Sequence, residues 1–162
     1  MMKKMKVALL GLAMSVTGLT QAAGYGVVDI EKVVESSTYL KQQNSVLEQT
    51  VKPQTAKLEQ ITKDIEALKQ KAQAQGANAQ QINAQYQAKV TEFQTIQQGV
   101  QTKVQSAIQN TNSVFETRVK QAAEQLRTEN SLDLVLNKNS VIAFDSKYDL
   151  TAKMIQKVNA IK

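Results

Sequence analysis

Six carboxylates lie near the two ends of the chain: Asp29, Glu31 and Glu35 early, Asp133, Asp145 and Asp149 late. Two of them brought within about 5–9 Å of each other would suffice for acid–base or glycoside-cleaving work. No recognisable motif surrounds them, and carboxylates at such places ordinarily serve as solvated charge and helix caps. The remaining chemistry is narrowed by composition. The chain has no His, no Cys and no Trp. That removes thiol and imidazole nucleophiles, Ser-His triads, thiolate or imidazole metal sites and disulfides. No catalytic residue, metal site or cofactor is expected, and the protein is not expected to be an enzyme.

The cations point elsewhere. Twenty Lys and Arg against fourteen Asp and Glu give a net charge of +6. Three of the lysines, Lys3, Lys4 and Lys6, precede the 13-residue mostly apolar run Val7–Leu19 and a small-residue cleavage pattern ending at Ala22. This is the layout of a secretory signal peptide over residues 1–22, the alternative being an uncleaved N-terminal anchor. The run is shorter than the ~20 residues needed to span a bilayer as a helix. Without those lysines the balance falls to 17 − 14 = +3, and export together with modest charge argues against a nucleic-acid partner. The expected location is the periplasm.

The elements that carry the remaining residues are unusual. Of 22 Gln, 20 fall between Gln42 and Gln125, in a stretch nearly free of Gly and Pro, as in solvent-exposed helix. Leu47, Val51, Gln54, Leu58, Ile61, Ile65, Leu68 and Ala72 step by three and four, with Gln54 the one polar member, as heptad core positions do. Gln75-Gly76-Ala77-Asn78 is the one turn signal. Tyr86, Val90, Phe93, Val100 and Val104 then form a second ladder, which lengthens its period through Ile108, Phe115, Val119, Ala122 and Leu126. Two such helices joined by a short turn predict an antiparallel hairpin over residues 38–130, with its tip near 75–78. The 38 positions separating Thr38 from Gly76 would span about 57 Å. The changed period predicts that the base of the hairpin packs against more than one neighbour.

Residues 23–37 and 131–162 make a second unit. Gly26–Ile30 reads as a strand, Glu31–Glu35 as the start of a helix, and Ser36-Ser37-Thr38 as a break or N-cap. Leu132–Leu136 and Val141–Phe144 read as two further strands around an Asn137–Ser140 turn, and Asp149-Leu150-Thr151 opens a helix with Met154, Ile155 and Val158 on one face. The expected class is α+β: a small β body carrying a long helical coiled-coil hairpin. Three strands are close to the lower limit for independent stability. Joining the bodies of several chains into one sheet or barrel would remove the edges. The expected oligomerisation core is Val27, Val28, Ile30, Leu134, Leu136, Ile142 and Phe144; the alternative is a monomer.

The segment Gly26-Val27-Val28-Asp29-Ile30-Glu31-Lys32-Val33-Val34-Glu35-Ser36-Ser37 resembles the N-terminal signature of the Skp/OmpH family of periplasmic chaperones. Leu132–Asn137, Val141–Phe144 and Asp149–Asn159 resemble that family's closing segment. The resemblance implies a homotrimer whose three bodies share a β-barrel, with three hairpins hanging from it around a cavity. It implies a holdase that works without ATP, keeps unfolded outer-membrane β-barrel proteins from aggregating and aids their delivery to the outer membrane. Two features depart from the family as expected. Only two arginines, Arg118 and Arg127, are present, and Pro53 falls in the first long helix; no lipopolysaccharide-binding role is carried over.

Pro53 and Gly99 each lie 23 positions from Gly76, so an antiparallel hairpin sets both weak points at one level. They form a candidate hinge; the alternative is that Pro53 starts the first long helix. Lys69, Lys71 and Lys89 occur between Glu66 and Glu92 with no acid, which predicts a basic arm tip. That tip either keeps the arms apart and soluble or attracts acidic segments of clients or an anionic membrane surface. The rival function is a coiled-coil adaptor in an envelope assembly.

Overall fold

The computed structural model describes residues 24–74 and 79–162. The signal-peptide segment and the tip at 75–78 therefore lie outside the described residues. Strand β1 is Tyr25–Val28, followed by helices α1 (Ile30–Ser36), α2 (Thr38–Ala74) and α3 (Ala79–Glu129), strand β2 (Leu134–Asn137) and helix α4 (Thr151–Ala160). Two short 3-10 turns, Lys138–Ser140 and Ser146–Tyr148, join β2 to α4.

The body forms around a parallel pair. Tyr25 stands opposite Leu134, and Val28 opposite Asn137. The other side of β1 carries a single parallel bridge from Val27 to Asp149, where the Leu150 N–H donates to the Val27 carbonyl at 2.8 Å. Gly26 has to be small: a Cβ there would come within 2.5 Å of the Leu150 Cδ1. The strand ends two positions before Ile30 because Asp29 caps α1, its Oδ1 accepting from the Lys32 N–H at 3.2 Å. Ile30 is thus the first helical residue, not the last of a strand.

Val141–Phe144 is not a strand in this chain. The outer side of β2 stays open to it, but the Asn137 side chain accepts from the Asn139 N–H at 3.2 Å to set a 3-10 turn in place of the tight hairpin that a return along β2 would need. The segment has no strand partner among the described residues.

The core sits where α3 enters the body. Val28, Val33, Phe115, Ala122, Leu126, Leu150, Met154 and Val158 are buried together. The lengthened period of α3 brings Phe115, Ala122 and Leu126 onto the face that α4 covers, as the sequence predicts for a helix base with more than one neighbour. α3 closes with Ser131 in the left-handed region at φ 49°, which lets the Leu132 N–H reach the Arg127 carbonyl at 2.8 Å. That pattern satisfies a carbonyl at the helix end that would otherwise lack a partner.

Beyond the body, α2 and α3 run antiparallel as a bare two-helix arm. At ~1.5 Å per residue, the 37 residues of α2 span about 55 Å. Their polar outer faces and narrow apolar stripe leave most arm side chains exposed or half-buried, with Ile61 as an exception at 2% exposure.

Candidate functional site

Five of the six carboxylates have structural partners within the body. The Asp29 Oδ2 accepts from the Lys138 Nζ at 3.0 Å, and the Asp29 N–H donates to the Thr151 Oγ1 at 2.9 Å. The Asp133 Oδ2 accepts from the Gly24 N–H at 2.8 Å, Asp145 caps the second 3-10 turn, and the Asp149 Oδ1 accepts from the Thr151 N–H at 2.8 Å. The Glu31 Oε1 accepts from the Asn139 Nδ2 at 3.1 Å, while Glu35 is exposed.

The hydrogen bond from Lys138, then that from the Lys32 N–H, holds the Asp29 carboxyl below the usual carboxylate range. Thr151 does the same for Asp149. A depressed folded-state value means that the stabilisation is complete above the unfolded value of about 4 and is lost as pH falls through the lower folded value. An acid titration followed by circular dichroism is expected to show the body weakening below about pH 4. Asp29→Asn should flatten that acid limb; an unchanged limb would contradict the assignment.

Two surfaces remain without an internal role. The first is on the body. The outer side of β2 is unpaired among the described residues. On the body surface, Leu134 of β2 is 50% exposed, Ile142 fully exposed, and Tyr25 and Tyr148 substantially so. Leu136 and Phe144 are half-buried. Val27 and Val28, by contrast, are buried within the single chain, and Ile30 packs against its core.

The second surface is a groove of about 590 Å³ between the bases of α2 and α3, lined by Leu40, Leu47, Thr50, Thr102, Ala107 and Ile108 among others. Val46 and Ile108 line it while staying about half exposed. A second groove continues it along Leu47, Val51, Ala56 and Val104. Its walls are apolar but shallow, with Gln, Asn and Thr between the hydrophobic side chains. Val46 lies off the heptad ladder, so periodicity alone did not single it out.

Farther out, the arm is clasped by charge. The Lys57 Nζ lies 2.8 Å from the Glu92 Oε1, and the Lys89 Nζ lies 3.1 Å from the Asp64 Oδ2 and 3.5 Å from the Glu92 Oε2. Hydrogen bonding to Asp64 raises the Lys89 pKa, and the same contact lowers that of Asp64. Lys89 is therefore neutralised by an acid of the opposite helix, and the expected cluster of three free lysines is reduced to the exposed Lys69 and Lys71. A count along the chain misses Asp64 because it lies outside the acid-free stretch and meets Lys89 only when the helices pair.

Pro53 falls inside α2, 15 positions after its start, so it does not begin the helix. Thr50 and Thr102 share the basal groove while Lys57 reaches Glu92; Pro53 and Gly99 lie between those two levels on their respective helices. A side chain at Gly99 would meet nothing within 4 Å, so packing does not demand glycine there.

Comparison with known proteins matches the same extent of chain. A family model described as outer membrane protein (OmpH-like) matches residues 24–158. Among solved structures, a Caulobacter crescentus protein assigned as an OmpH-like outer membrane chaperone aligns with a TM-score of 0.71 at 20% identity, covering 85% of each chain. At that identity the likeness is one of fold. No curated protein matches the sequence at a significant level.

Proposed function

The chain belongs to the OmpH-like family of outer membrane proteins, and from that premise we propose that it is an ATP-independent holdase chaperone of the periplasm. Its clients are unfolded outer-membrane β-barrel proteins, held between helical arms, kept from aggregating and passed on towards the outer membrane. The observation that carries this reading is the arm itself: a bare two-helix strut whose inner grooves offer scattered half-exposed Val, Leu and Ile among Gln and Thr. Such a surface makes many weak contacts and none dominant. An extended client that engages several of them at once is retained by avidity, and is released without a chemical step. No residue has a catalytic role in this reading, and none binds a cofactor.

The arms need a common base. The unpaired side of β2 and the exposed Leu134 and Ile142 are what a strand-to-strand junction between copies would cover. We assign to them, with Leu136 and Phe144, the joining of three bodies into a shared barrel. No helix among the described residues is long and apolar enough to cross a membrane. Lys69 and Lys71 on the outer arm supply a weak attraction to anionic membrane surface; binding to anionic vesicles that persisted at high salt would contradict a charge-driven contact.

Light scattering of the purified chain, before and after adding a urea-denatured outer-membrane β-barrel protein, tests the function. The expected result is a three-chain particle that takes up a client and keeps it soluble without nucleotide. A particle that ignores the unfolded barrel would instead favour the adaptor role.

Pro53 and Gly99 are read as a shared hinge within the arm. Pro53 leaves a backbone carbonyl without its helical partner, and Gly99 costs about 1 kcal/mol relative to Ala. Pro53→Ala with Gly99→Ala is expected to narrow the range of arm shapes seen by small-angle scattering. Unchanged scattering and unchanged client retention together would remove the hinge.

A further inference from the structure

We propose that Asn159, near the end of α4, is the positioning residue that braces the foot of the arm and so sets its attitude to the body. The two legs of the arm reach the body differently. α3 runs unbroken from Ala79 to Glu129 into the core. α2 is connected to the body through Ser37, a single extended residue between the end of α1 and the start of α2, with Tyr39 and Leu40 of its first turn packed partly against the core. Two backbone dihedrals at such an elbow would let the foot of α2 shift against α3, and a strut with one loose foot bends as a single helix. Over the ~55 Å of α2, a change of about 10° displaces the far end by about 10 Å.

The Asn159 side chain closes that freedom from outside. Its Oδ1 accepts from the Thr38 N–H at 2.9 Å and from the Thr38 Oγ1 at 3.1 Å. Its Nδ2 donates to the Ser36 carbonyl at 3.1 Å. One amide thus satisfies an N–H at the start of α2 and a carbonyl at the end of α1, groups that helix ends leave without partners. The reverse amide orientation would set donor against donor and acceptor against acceptor, so the assignment of its two atoms is determined by the partners. Asp has no donor for Ser36, and Leu answers neither side. Ser37 fixes its own position by accepting from the Leu40 N–H at 3.2 Å and is 1% exposed.

The grip transmits to the other leg because α4 is bolted to the foot of α3. The Lys157 Nζ contacts the Glu129 Oε1 at 2.6 Å, and the Lys153 Nζ donates to the Asn130 Oδ1 at 3.0 Å. Arg118 of α3 stacks on the Tyr39 ring of α2, 4.1 Å from its centroid, and donates to the Ile161 carbonyl beyond α4. α4 therefore spans both feet, and Asn159 is its contact with the α1–α2 elbow. The attitude of the arm follows from this geometry alone; its consequence, the width of the space open to a client, rests on the holdase reading.

The test measures the angle without client. The chain lacks Cys, so spin labels can be placed at Lys63→Cys on the arm and Gln156→Cys on α4, with labelled chains diluted into unlabelled ones in the full-length assembly. Asn159→Ala is expected to broaden the arm-to-body distance distribution about twofold, with exchange of the Thr38 amide about fivefold faster. Asn159→Asp keeps the acceptor for Thr38 and loses the donor to Ser36. It should broaden the distribution too, and it remains informative if the Ala variant does not fold. Lys120→Ala, which removes an exposed ion pair with Glu116 inside α3 and touches neither α4 nor the elbow, should leave the width unchanged. Distributions as narrow as the parent's in both Asn159 variants would overturn the proposal, as would equal broadening by Lys120→Ala. Loss of client binding with an unaltered distribution would count against the holdase reading and not against the brace.

Discussion

Where three bodies join as proposed, Ile142→Asp is expected to convert the three-chain particle into single chains. Ile142 is fully exposed in the protomer, and Leu134 of β2 is half exposed. Neither has a role in the chain's own core. Covering such side chains is worth about 1.5–3 kcal/mol each. Burying a carboxylate without a partner in their place costs several kcal/mol more. In a closed assembly of identical chains each substitution acts once per copy, so a three-chain junction would lose on the order of 10 kcal/mol. Sedimentation at micromolar concentration should then give the mass of one chain, with far-UV circular dichroism unchanged because the protomer core is untouched. Val46→Asp on the arm supplies the contrast: the assembled mass should remain while client retention falls, since Val46 lines the basal groove. An Ile142→Asp particle of parental mass would place the junction elsewhere.

The second large effect is on stability. Leu126 is wholly buried where α3, α4 and the β pair meet. Leu126→Ala removes its transfer energy and leaves a cavity, at a cost of about 2–5 kcal/mol. A domain of ordinary stability, about 5–15 kcal/mol, loses a large fraction at that single position. The thermal midpoint of the body is expected to fall by on the order of 10 °C. Val100→Ala, on the half-buried stripe of the arm, should cost about 1 kcal/mol or less, because little surface returns to water. If the two variants unfold at the same temperature, the core does not sit at the base of α3. The contrast separates the two ends of one helix: the base of α3 is the anchor, and its outer part has little stability invested in it.

Much of this architecture is legible before any coordinates. The steps of three and four from Leu47 to Ala72 and from Tyr86 to Leu126 become α2 and α3. The slower period past Val104 becomes the part of α3 that enters the core. Met154 and Val158 form the buried face of α4, as their spacing predicts. The resemblance of the two end segments likewise agrees with the family match over residues 24–158. These features are local: a helix face is written in residues a few positions apart, and the chain needs no distant partner to specify it.

What the tertiary structure alone decided are the pairings across more than a hundred positions. Sequence spacing has no term for Asp29 meeting Thr151, Lys138 bonding Asp29, or Thr38 held by Asn159. The same holds for Asp64 reaching Lys89 across the arm, which turned an acid-free window into a neutralised clasp. It also holds for Val141–Phe144, whose composition suits a strand but which follows a 3-10 turn in place of a tight hairpin, leaving the outer side of β2 unpaired. Strand formation depends on the turn that returns the chain to an edge as much as on β-branched residues, and hydrogen-bond partners depend on which surfaces packing brings within about 3 Å. Helical period and apolar spacing were therefore set by the residues themselves, whereas the brace at the elbow, the clasp on the arm and the open edge of the body follow from how those helices close on one another.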